Sequence, residues 1–454
     1  MGRLSIFFSF ILSSFLVFLG CGGGEGRKDT HQEPIVSGSC FMCHVNDFAD
    51  THYDLTDSAP VEGYVLESAV EWAPEGTGYV LKTGDRACSA SCHDYHDGNI
   101  SINHEWFRSG HADINSEAFA STHIAAPCLR CHSGIGYASY VASSNIAYPG
   151  WVPPVTEIYP HHITCNGCHD TLGYPTAENK RLRKAGNVTL TSGRSSTSVQ
   201  DAILDVGNSA SCFTCHQGME SGWSLYKKMK SKGVDPYNAN NETMTELDFV
   251  NPHYMSAGPM LFSLKGFEFK DKTYSNGIVS HQIILCTGCH MADSADENLG
   301  GHTFNISHEG KMNTDACQVC HPGLSDFGTF RLYDRDMDGD GFPENIKEEI
   351  EGLKALIIVG LENAGIYYNP HAYPYFFKVA SPQIYPNRVT TWKENEIEAA
   401  FNLQFVDKEP GAYVHNFRYV VQLLRDSYEA LTGELLPGMR PSSSDDRPAT
   451  IYTP

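Results

Sequence analysis

The hydrophobic pattern opens with one continuous apolar run and closes with periodic ones. Residues 4–19 read Leu-Ser-Ile-Phe-Phe-Ser-Phe-Ile-Leu-Ser-Ser-Phe-Leu-Val-Phe-Leu, after a single basic residue, Arg3. That run is short for a membrane span and suits the apolar stretch of a signal peptide. Residues 22–38 are Gly-rich and polar, as in a flexible tether. Near the other end, Ile346, Ile350, Leu353 and Ile357 form an i, i+4, i+7, i+11 stripe after Pro343. This predicts a helix starting near the proline. Two more helices are predicted over 392–405 and 413–432, and helical patterning recurs over 104–120 and 220–232. Residues 183–200 are rich in Ser, Thr and Gly and predict an exposed loop. Gly63–Glu67 and Gly78–Lys82 are the main strand signals and predict a small hairpin. The expected fold is therefore mainly α and irregular, with little β.

Cysteine usage changes this picture. Fourteen of the 15 cysteines in 454 residues form seven close pairs, each followed at once by histidine. Six pairs have two residues between the cysteines: Cys40/Cys43-His44, Cys128/Cys131-His132, Cys165/Cys168-His169, Cys212/Cys215-His216, Cys286/Cys289-His290 and Cys317/Cys320-His321. The seventh, Cys88/Cys92-His93, has three. Structural zinc uses Cys-x-x-Cys pairs but has no need of histidine directly after the second cysteine. A disulfide framework would leave that histidine unexplained. Cys-x-x-Cys-His is the attachment signature of c-type haem: two thiols add to the vinyl groups, and the adjacent imidazole becomes the proximal iron ligand. Seven haem c groups are expected.

The leftover thiol, Cys21, ends the apolar run in Phe18-Leu19-Gly20-Cys21. This resembles the lipobox of bacterial lipoproteins, in which the cysteine carries the lipid. Gly22 in place of Asp at the next position implies, by analogy with lipoprotein sorting, the outer membrane. Residues 1–20 then read as a signal peptide, 21–38 as the tether, 39–325 as a heptahaem domain, and 326–454 as a helical C-terminal subdomain. So many porphyrins on so short a chain imply a stacked haem core in place of a large side-chain core.

Before the stripe helix, Asp334, Asp336, Asp338 and Asp340 alternate with other residues, followed by Glu344. The run resembles the start of an EF-hand loop, with hard oxygen ligands at positions 1, 3 and 5 and glycine at 6. Asn345 stands where the closing Glu is expected, so either Glu344 substitutes or the loop is of a different calcium-binding type. A structural Ca²⁺ is the expectation.

Removing the seven motif histidines from 21 leaves 14, twice the number needed as sixth ligands. This predicts mostly bis-His haems. Trp106-Phe107-Arg108-Ser109-Gly110-His111-Ala112, ahead of Cys128, resembles a Trp-x-x-Ser-x-His-Ala segment of pentahaem nitrite reductases and octahaem cytochromes. The order His281, Cys286-Thr287-Gly288-Cys289-His290-Met291, His302 is similar to a stretch of the same superfamily. Pro410-Gly411-Ala412-Tyr413-Val414-His415-Asn416 resembles the element that begins its long C-terminal helix. The resemblance implies His111, His281, His302 and His415 as distal ligands. His52, His123, His162 and His253 are further candidates, eight names for seven places. The Cys-x-x-Cys-Lys site that such reductases often carry is absent from the sequence.

The whole is similar to the multihaem c-type cytochromes that metal-reducing bacteria export to the outer membrane. That similarity implies an electron carrier with no catalytic residue, passing electrons to extracellular or periplasmic acceptors in anaerobic respiration. A reductase of a nitrogen or sulfur oxyanion with one open haem, and a subunit of an extracellular cytochrome filament, stay as alternatives. Partners would be other redox proteins or extracellular acceptors, the outer membrane through the lipid, and in the filament case a homopolymer. A formal charge of −22 argues against nucleic acid.

Overall fold

The computed structural model describes strand residues 53–54, 59–60, 70–72 and 79–81, and residues 105–113, 116–120, 128–143, 162–163, 165–169, 182–190, 203–238, 240–332 and 335–449. The chain divides into two units. The first covers residues 1–104, 164–166 and 171–180. Its described strands form two antiparallel pairs, Tyr53–Asp54 with Ala59–Pro60 and Val70–Trp72 with Tyr79–Leu81. The second pair corrects the predicted hairpin. Tyr79–Leu81 pairs with Val70–Trp72, not with the Gly63–Glu67 segment, in the register Val70↔Leu81, Glu71↔Val80 and Trp72↔Tyr79. The nearer segment closes the shorter loop and brings a β-branched and an aromatic residue to the pair.

The second unit covers 105–163, 167–170 and 181–454. Its helices used below are α1 (Leu129–His132), α2 (Gly134–Ala142), α3 (Ala210–Cys215), α4 (Gly222–Ser231), α5 (Ala257–Leu261), α6 (Val279–His290), α7 (Ile346–Asn363), α8 (Glu394–Asp407) and α9 (Ala412–Thr432). Helix α7 starts where it does because Asn345 caps it, its side-chain oxygen accepting from Glu348 N at 3.0 Å. Its stripe of Ile346, Ile350, Leu353 and Ile357 is buried, together with Leu361. Helix α9 packs against α7, α8 and α5. Helix α8 is buried almost all round, through Ile397, Phe401, Leu403 and Phe405 among others. Within it the Asn402 amide is fully satisfied: Oδ1 accepts from Phe267 N at 2.8 Å, and Nδ2 donates to Phe267 O and Ser427 Oγ.

Leu225 and Met229 of α4, Met260 of α5, Phe267 and Tyr274 belong to the same apolar core as α7–α9. Side-chain packing therefore runs continuously across residue 325. Near the attachment motifs the apolar packing is thinner, a small cluster of Val188, Leu190, Val206, Ala210, Phe213 and Leu264. Part of the predicted 183–200 loop is a strand. Asn187–Thr189 pairs with Ile203–Asp205, with Val188 and Leu190 buried against Phe213. Two apolar side chains within a polar stretch suffice to seat it. Among the described residues no helix is long and apolar enough to cross a membrane.

This core makes a direct prediction. Leu353→Ala, at a fully buried position, lowers the unfolding free energy by about 2–5 kcal/mol. Val359→Ala, half-exposed on the outer face of the same helix, shifts it by under about 1 kcal/mol. Denaturant melts followed by far-ultraviolet circular dichroism distinguish the two.

Candidate functional site

Five attachment motifs fall among the described residues, and four of their histidines each face a second histidine. The ring centres are 6.1 Å apart for His216 and His111, 6.1 Å for His132 and His253, 6.3 Å for His169 and His302, and 6.4 Å for His290 and His415. A ligating imidazole nitrogen sits about 2 Å from its metal, so two rings on opposite sides of one ion have centres about 6 Å apart. The observed spacings leave room for one iron in each pair. Burial lowers the pKa of His281, and the fifth motif histidine, His321, adds to that lowering.

Each ring is held by local structure. His132 ends α1, and its Nδ1 donates to Ala118 O at 2.6 Å. His290 ends α6, with Nδ1 donating to Phe304 O at 2.9 Å. His281 Nδ1 donates to Val414 O at 3.0 Å. A carbonyl can only accept, so these rings carry their proton on Nδ1 and keep the Nε2 lone pair for a metal. His253 is set the other way: its Nδ1 accepts from Tyr254 N at 2.7 Å, and its backbone is left-handed at φ 72°. Metal binding through Nε2 there requires loss of the Nε2 proton or a turn of the ring.

Burial, and after it the facing motif histidine, lowers the pKa of His111 and of His253, each to about 4. Burial also lowers His132, His216 and His290. Imidazoles held neutral in this way suit metal ligation. His415 differs. Burial alone would lower it, but the buried Glu409 carboxylate, 3.2 Å from Nδ1, raises it overall. The chain supports this ring at two further points. A Cβ on Gly411 would fall 2.5 Å from the His415 ring, so glycine is required there. Asn416 breaks the helical geometry of α9 and anchors to α5 through Nδ2, which donates to Met260 O at 3.0 Å and Ser263 Oγ at 2.8 Å. His302 lies in a 3₁₀ turn whose His302 N donates to Glu105 Oε2 at 2.9 Å.

Among the described residues the cysteines with placed side chains (Cys128, Cys131, Cys168, Cys212, Cys215, Cys286, Cys289, Cys317 and Cys320) are all free of disulfide bonds. His162 is buried beside Trp106. His308 and His371 are exposed. Cys21, Cys40, Cys43, His44, His52, Cys88, Cys92, His93, His123 and Asp334 lie outside the described residues, as does the Cys165 side chain.

The acidic loop gathers around a residue that the spacing argument missed. Carboxylate oxygens of Asp336, Asp338 and Asp340 lie within 4.8 Å of one another, as do those of Asp338, Glu344 and Glu349. Glu349, fully buried in the first turns of α7, accepts from Met337 N, Asp338 N and Glu344 N. Burial and then its neighbouring carboxylates push Asp338 up to about 6. Gly339 and Gly341 take left-handed φ values of 81° and 93° to make the turn. The signal for Glu349 was available, since a helix capped by Asn345 turns its first-turn acids back toward the loop.

Two proteins of Geobacter sulfurreducens are similar to this chain. The C-type polyheme cytochrome OmcB is 25% identical over 477 residues, covering 84% of this chain and 59% of its own length. The C-type polyheme cytochrome OmcC is 24% identical over 511 residues, covering 91% and 61%. The chain thus spans about three-fifths of the length of these curated relatives. No family model matches, and no solved structure matches. Together with the attachment motifs, the similarity supports a multihaem c-type cytochrome with haem c as its cofactor.

Proposed function

We propose that the chain is an electron-transfer protein carrying seven covalently attached haems, mostly bis-His, and passing electrons to extracellular or periplasmic acceptors in anaerobic respiration. The observation that carries the reading is the set of four facing histidine pairs with room for one metal ion each. Bound haem c supplies a one-electron couple; the protein supplies ligands, spacing and electrostatics. His132, His169, His216, His290 and His321 would bind from the proximal side, with His253, His302, His111, His415 and His281 opposite. Paired imidazoles close both faces to substrate and need little rearrangement when the charge changes. The Glu409 carboxylate, 3.2 Å from Nδ1 of His415, would make that imidazole a more basic ligand. The lipobox-like Cys21 would anchor the chain to the outer membrane. With a formal charge of −22, the protein would dock on basic partners in a salt-sensitive way.

Intact mass of the native protein should show seven haem additions. In a spectroelectrochemical titration, Glu409→Gln should shift one midpoint upward, because the His415 ligand loses its anionic partner, and leave the haem count unchanged. Unmoved midpoints would remove the assignment of His415 as a ligand.

We also propose that Asp336, Asp338, Asp340, Glu344 and Glu349 hold a Ca²⁺ that ties the loop to the start of α7. Hard carboxylate oxygens at this density suit that ion. Buried Arg425 of α9 donates to Met337 O, coupling the loop to the core. At a hundredfold excess over its dissociation constant, Ca²⁺ should stabilise the fold by about 2.7 kcal/mol. Chelation should therefore lower the melting temperature of the wild type and leave Asp338→Asn/Asp340→Asn unchanged.

A further inference from the structure

Three attachment motifs meet at a fourth. Cys215 Sγ donates to Arg130 O at 3.9 Å, which brings its thiol close to that of Cys131. One turn earlier in α3, the Cys212 thiol lies close to that of Cys286. Ser209, just ahead of α3, clasps the same neighbour: its Oγ is 3.3 Å from Thr287 Oγ1 and accepts from Thr287 N at 3.2 Å. The third neighbour comes through the backbone. Arg183 N donates to Cys168 O at 2.8 Å, and the next residue's carbonyl, Lys184 O, accepts from Ser211 Oγ at 3.0 Å. Cys168 lies within electrostatic reach of both Cys212 and Cys215.

The imidazoles converge in the same way. Phe304 touches three pairs at once. Its ring is 5.0 Å from that of His111, which faces His216, and 5.8 Å from that of His302, which faces His169. Its carbonyl accepts from His290 Nδ1. His216 is close enough to His290 and His415 to be influenced by both. The Cys317 motif reaches this group through Cys289, which senses Cys317.

A thioether fixes its sulfur at the porphyrin edge. Motifs whose cysteines lie this close would therefore hold two porphyrins near each other. We infer that Cys212, Cys215 and His216 hold the branch point of the electron path. The haem there would be in edge contact with those held at Cys128–His132, Cys168–His169 and Cys286–His290, and the Cys317–His321 site would join through the last of these. The inference rests on the attachment reading proposed above. With haem bound, each step would move a single electron from a ferrous iron to its ferric neighbour, with no bond broken and no proton moved. A branched array differs from a single file: an electron entering at any of three arms can leave by either of the others.

The test uses the haem-loaded full chain. Iron–iron distances, from cryo-electron microscopy or anomalous X-ray scattering, should give the iron on His216 three nearest neighbours, on His132, His169 and His290. Two or fewer would overturn the branch point. A kinetic test reads the same claim. His111→Met raises the midpoint at the branch and makes it a trap, so electron equilibration after rapid reduction by dithionite should slow about tenfold for each 1.4 kcal/mol of trap depth. Equilibration at the wild-type rate, with haem still present on the Cys212 peptide, would also overturn it. Peptide mapping separates the two failures. Haem missing from that peptide in the native protein would overturn the attachment reading and the branch with it. Haem present with the wrong neighbours overturns the branch alone.

Discussion

The spacing between paired imidazoles is the constraint on which the motif-bearing part of this protein depends. His132 and His253, His169 and His302, His216 and His111, and His290 and His415 are distant in sequence, yet their ring centres all lie between 6.1 and 6.4 Å apart. Little side-chain packing accounts for this. The apolar cluster near α3 is small, whereas the large core belongs to α7–α9 and the segments packed on them. In the proposed reading each imidazole–iron–imidazole bridge closes a long loop, and the porphyrin supplies the missing apolar surface. A loop closed in this way removes much of the chain entropy that side-chain burial would otherwise have to offset.

The helical part stands on different physics and positions the site from one side. Helix α9 delivers His415 where its geometry breaks at Asn416, and α6 brings His281 and His290 to either side of a left-handed Leu285. Both breaks put a ring where an uninterrupted helix could not. The buried amides Asn402 and Asn416 are satisfied across elements, so they fix α8 and α9 in register with the segment 260–267. The rigid helical layer thus acts as a template for the loop-rich layer carrying most of the motifs.

The attachment motifs, the α7 stripe and the helices near 220–232, 392–405 and 413–432 were legible because each depends on local spacing. Ile346, Ile350, Leu353 and Ile357 mark a buried face whatever lies opposite. The strand pairs were less legible. Val70–Trp72 and Gly63–Glu67 compete for one partner with similar composition, and loop length decides between them. Val188 and Leu190 gain their strand from a pairing with Ile203–Asp205 that local pattern does not announce. Among the histidines, the pairing partners are set by tertiary structure, so spacing could name candidates but not couples. His253 is one of four further candidates by sequence, and the fold sets it opposite His132. Glu349 was missed because the comparison with an EF-hand loop looked for an acid at Asn345, which instead caps the helix.

The central claim is that two histidines close each iron. Low-temperature electron paramagnetic resonance of the fully oxidised, full-length protein tests it most directly. The account predicts a spectrum dominated by low-spin ferric signals, as six-coordinate bis-imidazole iron requires. A dominant high-spin signal would contradict it.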